Sequence, residues 1–289
     1  MKNVFIKDKR RFAAKLDALE KGGAESLHII TDFDRTLTKD KPETGKSGNS
    51  YELMNACVDN PDFLRKIQSL FEYYYQIEIS PSMSIQKKIS YMEEWWEKYW
   101  NLTIEYGITR QKLLDGVKRT RADFRIGFEE LLGLLHEKEI PLLIFSAGSG
   151  DLIVFYLEMM RMMTPNVHIV SNFYKFGRNG EAKGYNRPLI HTFNKNEKQV
   201  KSEAYEKKIE KRKNVILLGD SIGDVTMASG LSHECILKIG FLSSSNEKRL
   251  EEYSEHFDML IRDDGSLEHV NEIIRAVFGN GKNGNKRSK

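Results

Sequence analysis

The chain has 289 residues, 40% hydrophobic and 30% charged, with a formal net charge of +3. That suits one large globular domain, or a core carrying a smaller insertion, with a sizeable hydrophobic interior. The last eleven residues, "GNGKNGNKRSK", hold Lys282, Lys286, Arg287 and Lys289 and no acid, so they carry +4 and the rest of the chain sums to −1. Positions 279–289 therefore read as a basic disordered tail, and no basic face for nucleic acid is visible. The two cysteines, Cys57 and Cys235, lack metal or disulfide spacing, which argues for a reducing compartment. "MKNVFIKDKRRF" has no apolar h-region, and no apolar run approaches about 18 residues. Neither a secretory signal nor a membrane span is expected, and the cytoplasm is the expected compartment.

The first strong strand signal is "LHIITDFD", an apolar run that ends in Asp32 and Asp34. "DKPETGKSGNS" follows as a polar linker. Residues 41–118 then read as helical. "YELMNACVDNPDFLRKIQSLFEYYYQIEI" and "SIQKKISYMEEWWEKYWNLTIEYG" are long, helix-patterned and rich in aromatics. Ile85, Ile89, Met92, Trp96 and Tyr99 fall at helical spacing, as an amphipathic stripe would.

From about residue 120 strands and helices alternate. "IGFEELLGLLHEK", "DLIVFYLEMMRMM", "NEKRLEEYSEHF" and "SLEHVNEIIRAVF" read as helices. "IPLLIFSAG", "NVHIVSN", "KNVILLGDS", "HECILKIG" and "FDMLI" read as strands. Continuous apolar strands alternating with helices predict an α/β fold, a parallel sheet covered on both faces. The expected organisation is a core of residues 1–40 and 119–278, with a helical insertion at 41–118 placed immediately after the first strand.

Four segments share an apolar run that ends in polar residues: "IITDFDRT", "LLIFSAG", "LIHTFNK" and "ILLGDSIGD". In an open parallel sheet the carboxyl ends of the strands line one crevice, so these residues are expected to converge. Asp32 and Asp34, two apart on an extended chain, point to one side and would repel unless a divalent cation or a shared proton relieves them. They suit a nucleophile and a general acid for phosphoryl transfer, or else strand-end acids that make turns or cap a helix. Asp220 suits a Mg²⁺ ligand and Asp224 a water-mediated or supporting one; either could instead be a helix N-cap. The Ser146 hydroxyl, with the backbone N–H groups of Ala147 and Gly148, could hold phosphate oxygens, or could merely form a turn. Lys195 could offset charge on nucleophile and phosphate, although most lysines are solvated surface groups.

Together these segments resemble the haloacid dehalogenase (HAD) superfamily: "DFDRTLT" its D-x-D loop, "FSAG" its Ser/Thr strand end, Lys195 its motif lysine and "GDSIGD" its acidic loop. Over nearly the whole chain, "YYYQIEIS", "YMEEWW", "IFSAGSGDLI", "VSNFYKF", "LIHTFNKN", "ILLGDSIGDVTMA" and "ILKIGFL" resemble the cytosolic pyrimidine 5′-nucleotidase family (cytosolic 5′-nucleotidase III). The resemblance implies a HAD-like doubly wound sheet with a helical cap and Mg²⁺-dependent hydrolysis of nucleoside 5′-monophosphates. The expected substrates are UMP and CMP, or 7-methyl-GMP. It further implies Asp32 as nucleophile and Asp34 as acid/base. Asp32, Asp220 and the Asp34 backbone carbonyl would hold Mg²⁺ with support from Asp224, Ser146 and Lys195 would hold phosphate, and Glu78 would contact the base. Trp95, Trp96 and Tyr74 either stack a base or pack the cap's own core. The expected enzyme is a monomer acting on a small nucleotide. The alternatives are a HAD phosphatase for another phosphomonoester, a nucleoside phosphotransferase, and a non-catalytic nucleotide binder.

Overall fold

The computed structural model describes residues 3–41, 49–80, 82–120, 123–197, 200 and 202–280. Most of the linker expected at 40–50, and the basic tail from 281 on, lie outside the described residues. In chain order the elements begin with β1 (Val4–Phe5), α1 (Lys9–Gly22) and β2 (Leu27–Thr31). Four helices follow: α2 (Ser50–Val58), α3 (Pro61–Ile79), α4 (Ile85–Glu105) and α5 (Arg110–Arg119). Next come α6 (Phe128–Glu137), β3 (Leu142–Ser149), α7 (Gly150–Met159), β4 (Val167–Asn172), β5 (Tyr174–Phe176) and β6 (Ala182–Tyr185). The chain continues through α8 (Glu203–Ile209), β7 (Asn214–Gly219), β8 (Cys235–Leu242), α9 (Leu250–His256), β9 (Met259–Arg262) and α10 (Glu268–Asn280).

The main sheet has seven strands in the order β1-β9-β8-β7-β2-β3-β4, parallel throughout except for β1 against β9. Every residue of β2 and β7 is buried, as expected for strands covered on both faces. Alternation along β2 divides the core. Leu27 and Ile29 pack with α1, α6 and α10 on one face, whereas Ile30 packs with Tyr205, Tyr253 and Phe257 on the other. A fully buried Leu or Ile contributes about 1.5–3 kcal/mol, so these two layers dominate the sheet's stability. A third cluster joins α2, α3, α4 and α5 to α7 and the β5–β6 hairpin.

Several expectations change. The helical insertion follows β2 rather than the first strand, because the N-terminal segment forms β1 and α1 ahead of it. The apolar run from Tyr51 to Ile79 is two helices. Asp59 turns left-handed at φ 47°, Asn60 caps the N–H groups of Asp62 and Phe63, and Pro61 opens α3. In α4, Ile85 is 65% exposed and the buried face runs through Met92, Trp95, Tyr99, Trp100 and Thr103, so the stripe's first residue faces solvent. "LIHTF" is not a strand. Its backbone is satisfied by side-chain amides instead: Asn172 bonds both N–H and C=O of Ile190 at 2.8 and 2.9 Å, and Asn194 donates to the Leu189 carbonyl at 2.8 Å. Among the described residues no helix is long and apolar enough to cross a membrane.

Candidate active site

β2, β3 and β7 are neighbours, with Thr31 in register with Ile144 on one side and Leu218 on the other. Their carboxyl ends therefore open side by side, and a cavity of about 360 Å³ lies above them. It is lined by Asp32, Asp34, Ser146, Ala147, Gly148, Lys195, Asp220 and Asp224 from below, and by Glu78, Trp95 and Trp96 from α3 and α4. The nine residues expected to form the site all border this one space.

Asp32 continues β2, its N–H donating to the Leu218 carbonyl at 3.0 Å. Its carboxylate accepts from the Lys195 ammonium, and the same ammonium donates to Asp224 Oδ1 at 3.0 Å. Both carboxylates and the lysine are nearly fully buried. Burial pushes the Asp32 carboxyl up, Lys195 opposes it, and the surrounding carboxylates of Asp224, Asp220 and Asp34 push it further. Asp220 is pushed up to about 7, first by burial and then by Asp224, with Arg35 and Lys195 opposing. Burial works to lower the Lys195 pKa, but its two carboxylate partners outweigh that and raise it, so the side chain stays an ammonium.

Asp34 sits apart from that knot. It accepts from the Ser50 N–H at 2.7 Å and from the Ser50 hydroxyl. Burial raises its pKa against those bonds. A carboxyl whose pKa is raised, beside a nucleophile, suits a general acid. Gly148 explains how Ser50 reaches Asp34: a Cβ there would meet Ser50 Oγ at 1.9 Å. Ser146 donates no such contact; its Oγ accepts the Gly148 N–H at 3.0 Å, closing the turn after β3. Asp224 Oδ2 accepts from the N–H and hydroxyl of Ser221 at 3.0 and 2.9 Å, a reciprocal cap on the short helix that follows β7. Both Asp224 oxygens are thus engaged by protein groups. The N-cap alternative does not hold for either acid: Ser221 is the N-cap, and Asp224 answers it from the third helical position while also belonging to the acidic knot.

Carboxylate oxygens of Asp32, Asp220 and Asp224 lie within 4.8 Å of one another. Three acids so close, two of them with raised pKa values, form an oxygen donor set short of positive charge. That is what a divalent cation relieves, and the residues fit one.

Above the acids, the Glu78 carboxylate accepts from the Thr192 hydroxyl at 2.6 Å, and the Glu78 backbone carbonyl accepts from Lys88 at 2.7 Å. Burial raises the Glu78 pKa against the Thr192 bond. Trp95 stacks on Tyr74 at 5.7 Å and on Trp96 at 5.9 Å. Tyr74 does not border the cavity and packs within the helical layer, whereas Trp95 and Trp96 serve both as packing and as wall.

Residues not anticipated also border the cavity. Ser50 and Thr192 position Asp34 and Glu78, Phe71 and Tyr75 extend the aromatic wall, and Arg35 brings its guanidinium within 4.0 Å of Asp220. Arg35 lay inside the aspartate motif and holds a left-handed backbone at φ 59°. The others carry no local signal, since Ser50 and Thr192 acquire their roles only through partners 16 and 114 residues away.

This geometry belongs to a HAD-like phosphatase fold. A HAD family hydrolase from Salmonella enterica matches with a TM-score of 0.54 at 14% identity, covering 86% of this chain and 71% of that one, which shows the fold. The family model described as "Pyrimidine 5'-nucleotidase (UMPH-1)" matches residues 35–278. The chain belongs to that family and is a 5′-nucleotidase. A human protein named 7-methylguanosine phosphate-specific 5′-nucleotidase is 36% identical over 280 residues, 96% of this chain and 93% of that one. The crystal structure of cytosolic 5′-nucleotidase IIIB bound to cytidine superposes with a TM-score of 0.88 at 33% identity, covering 98% of this chain and 96% of that one.

Proposed function

We propose that this cavity hydrolyses nucleoside 5′-monophosphates in a Mg²⁺-dependent reaction through a phosphorylated Asp32. The single observation that carries this is the convergence of Asp32, Asp34, Lys195 and the acidic cluster on one floor beneath Glu78 and an aromatic wall. Asp32 and Asp220, with the Asp34 backbone carbonyl, would hold the ion, while Asp224 and its Ser221 cap keep the loop in place. Bound there, Mg²⁺ would neutralise carboxylate and phosphate charge so that anion meets anion. The Asp32 carboxylate attacks phosphorus, and the bond from phosphorus to the nucleoside oxygen breaks. Asp34, whose pKa burial raises, in its protonated form gives its proton to that leaving oxygen. It then takes a proton from the water that cleaves the acyl phosphate and restores Asp32. Lys195, the Ser146 hydroxyl and the N–H groups of Ala147 and Gly148 hold the phosphate oxygens.

Residues 41–118 act as the cap over a core of 1–40 and 119–278, and closure of the cap would exclude water. The Glu78 carboxylate, with one oxygen fixed by Thr192, is oriented to accept from an N–H of the base. Trp95 and Trp96 offer it a flat apolar face. Cytosine and 7-methylguanine both present N–H donors. The second also carries positive charge, which a carboxylate beside aromatic rings attracts. The names of the human relative and of the cytidine-bound structure support this substrate class, and the cytosolic name of the latter supports a cytosolic enzyme. Every group required lies in one chain, which supports a monomer.

The test is phosphate release from CMP, UMP, 7-methyl-GMP, AMP and a small aryl phosphate, with and without Mg²⁺. CMP or 7-methyl-GMP should lead and every rate should collapse without the ion. Preference for the aryl phosphate over all nucleotides would overturn the nucleotide assignment. Transfer of phosphate to an added nucleoside, read as a new nucleotide product, would mark a phosphotransferase.

A further inference from the structure

A second cluster of ligating side chains lies at the other end of β2. His28 sits four residues before Asp32, about 13 Å back along the strand at strand rise. It meets Glu197, two residues beyond Lys195, and His233, in the turn that enters β8. One ligand atom from each lies within 4.8 Å of the others. His28 Nε2 is 3.4 Å from Glu197 Oε1, and His233 Nε2 is 2.7 Å from Glu197 Oε2. The two rings stand 5.4 Å apart. All three side chains are at most 3% exposed.

Two features are hard to explain by packing alone. First, Glu197 is an interior carboxylate whose ion-pair partners, among the described residues, are only the two histidines. With neutral imidazoles its charge is met by hydrogen bonds from His233 and Tyr205 but by no cation, and a buried charge without a counter-ion is unfavourable. Secondly, neither ring nitrogen of His28 makes a well-aligned hydrogen bond among the described residues, Nε2 having only the long approach to Glu197 and the ring otherwise neighbouring the Arg212 backbone. Buried polar atoms are nearly always well satisfied, so a fully buried imidazole whose nearest acceptor is a carboxylate at 3.4 Å points to something between them.

We propose that His28, Glu197 and His233 form a second metal site, for a zinc-class divalent cation, separate from the acidic cluster of the cavity. Two imidazoles and one carboxylate are a common donor set for zinc, whereas Mg²⁺ prefers oxygen alone, so the two sites sort different ions. The site is buried, its three protein ligands leave the fourth tetrahedral position to a water, and its role is to hold segments together. It ties β2, which carries Asp32, to the segment that carries Lys195, and both to the turn before β8. Tyr205 borders it, its hydroxyl donating to Glu197 Oε1 at 3.4 Å. His233 must withdraw by a few tenths of an ångström from its present hydrogen bond to reach tetrahedral ligand spacing.

The experiment loads the full chain with Zn²⁺, dialyses it against excess Mg²⁺ and measures bound metal. Wild type and Asp220→Asn should each keep about one zinc per chain, while His28→Gln and His233→Gln should lose about nine-tenths of it. Added Zn²⁺ should raise the melting temperature of wild type and not of the histidine variants. Should either histidine variant fail to fold, Co²⁺ loading of wild type decides. Intense visible absorption, as from a tetrahedral nitrogen-containing site, supports the proposal, and only the weak spectrum of six-oxygen coordination overturns it. No retained zinc in wild type, equal retention in His28→Gln, or loss in Asp220→Asn would each overturn it. The cluster would then be a triad sharing a proton. The nucleotidase assignment is read separately from Mg²⁺-dependent turnover, so neither failure implies the other.

Discussion

The floor of the cavity and its helical roof solve opposite problems. The floor packs Asp32, Asp220 and Asp224 just beyond fully buried strands, with Lys195 reaching in from a loop, where charge is costly and neighbouring carboxylates push the Asp32 and Asp220 pKa values up. The roof is built from stacked rings, Tyr74 on Trp95 on Trp96, and places the half-buried acid Glu78 over the floor. The floor has the electrostatic strain that phosphoryl transfer needs, while the roof has the shape and, in Glu78, a fixed acceptor for a base. Chemistry and selectivity should therefore be separable by mutation.

Asp32→Asn should lower phosphate release at least about a thousandfold on every substrate while the protein remains folded by circular dichroism. Appreciable turnover by the purified variant would remove Asp32 as nucleophile. Lys195→Met should cost about a hundredfold to a thousandfold in kcat. It should also destabilise the metal-free protein by about 3–5 kcal/mol in denaturant, because two buried carboxylates lose their common cation. A loss confined to KM would recast Lys195 as a binding group only.

Glu78→Ala should lower kcat/KM for the preferred nucleotide by about tenfold to a hundredfold, the worth of one charge-assisted hydrogen bond. Hydrolysis of a small aryl phosphate should hardly change. Equal losses on both would join floor and roof and break the division between them.

The smallest effect is on stability against pH. Asp220 is pushed up to about 7 in the folded protein, so between about pH 4 and 7 the folded state holds a proton that the unfolded state has released. Metal-free stability should accordingly fall as pH rises through that window. Mg²⁺, which replaces the proton, should raise the melting temperature by a few degrees more at about pH 8 than at about pH 5. An equal shift at both would place the ion away from Asp220.

Much of the floor was legible in the sequence because its acids sit in short motifs at strand ends. "DFDRTLT" and "GDSIGD" each compress their chemistry into a few residues. Lys195 was found by its company, for a mistaken structural reason: its segment looked like a strand end but is a loop tied by Asn172 and Asn194. Apolar residues mark burial, and a buried loop satisfied by side-chain amides leaves the same trace as a buried strand. In the roof, helical periodicity located α3 and α4 but placed Ile85 on the wrong side. A stripe of spacing does not say which residues a partner helix covers. Ser50, Thr192 and Arg35 were missed, since what each does depends on a side chain that only folding brings near.

By itself, then, the sequence determined the alternation of buried strands and helices, the identity of the acids, and the helical insertion that separates "DFDRTLT" from the rest of the core. Those are local properties, carried by periodicity and by residues within hydrogen-bonding reach along the chain. The tertiary structure alone decided that Lys195 bridges Asp32 and Asp224, that Thr192 holds Glu78, and that His28, Glu197 and His233 meet at the amino end of β2. Each of those contacts spans tens to hundreds of residues. A parallel sheet makes them by laying distant strand ends side by side, and no local pattern records which side chains then touch.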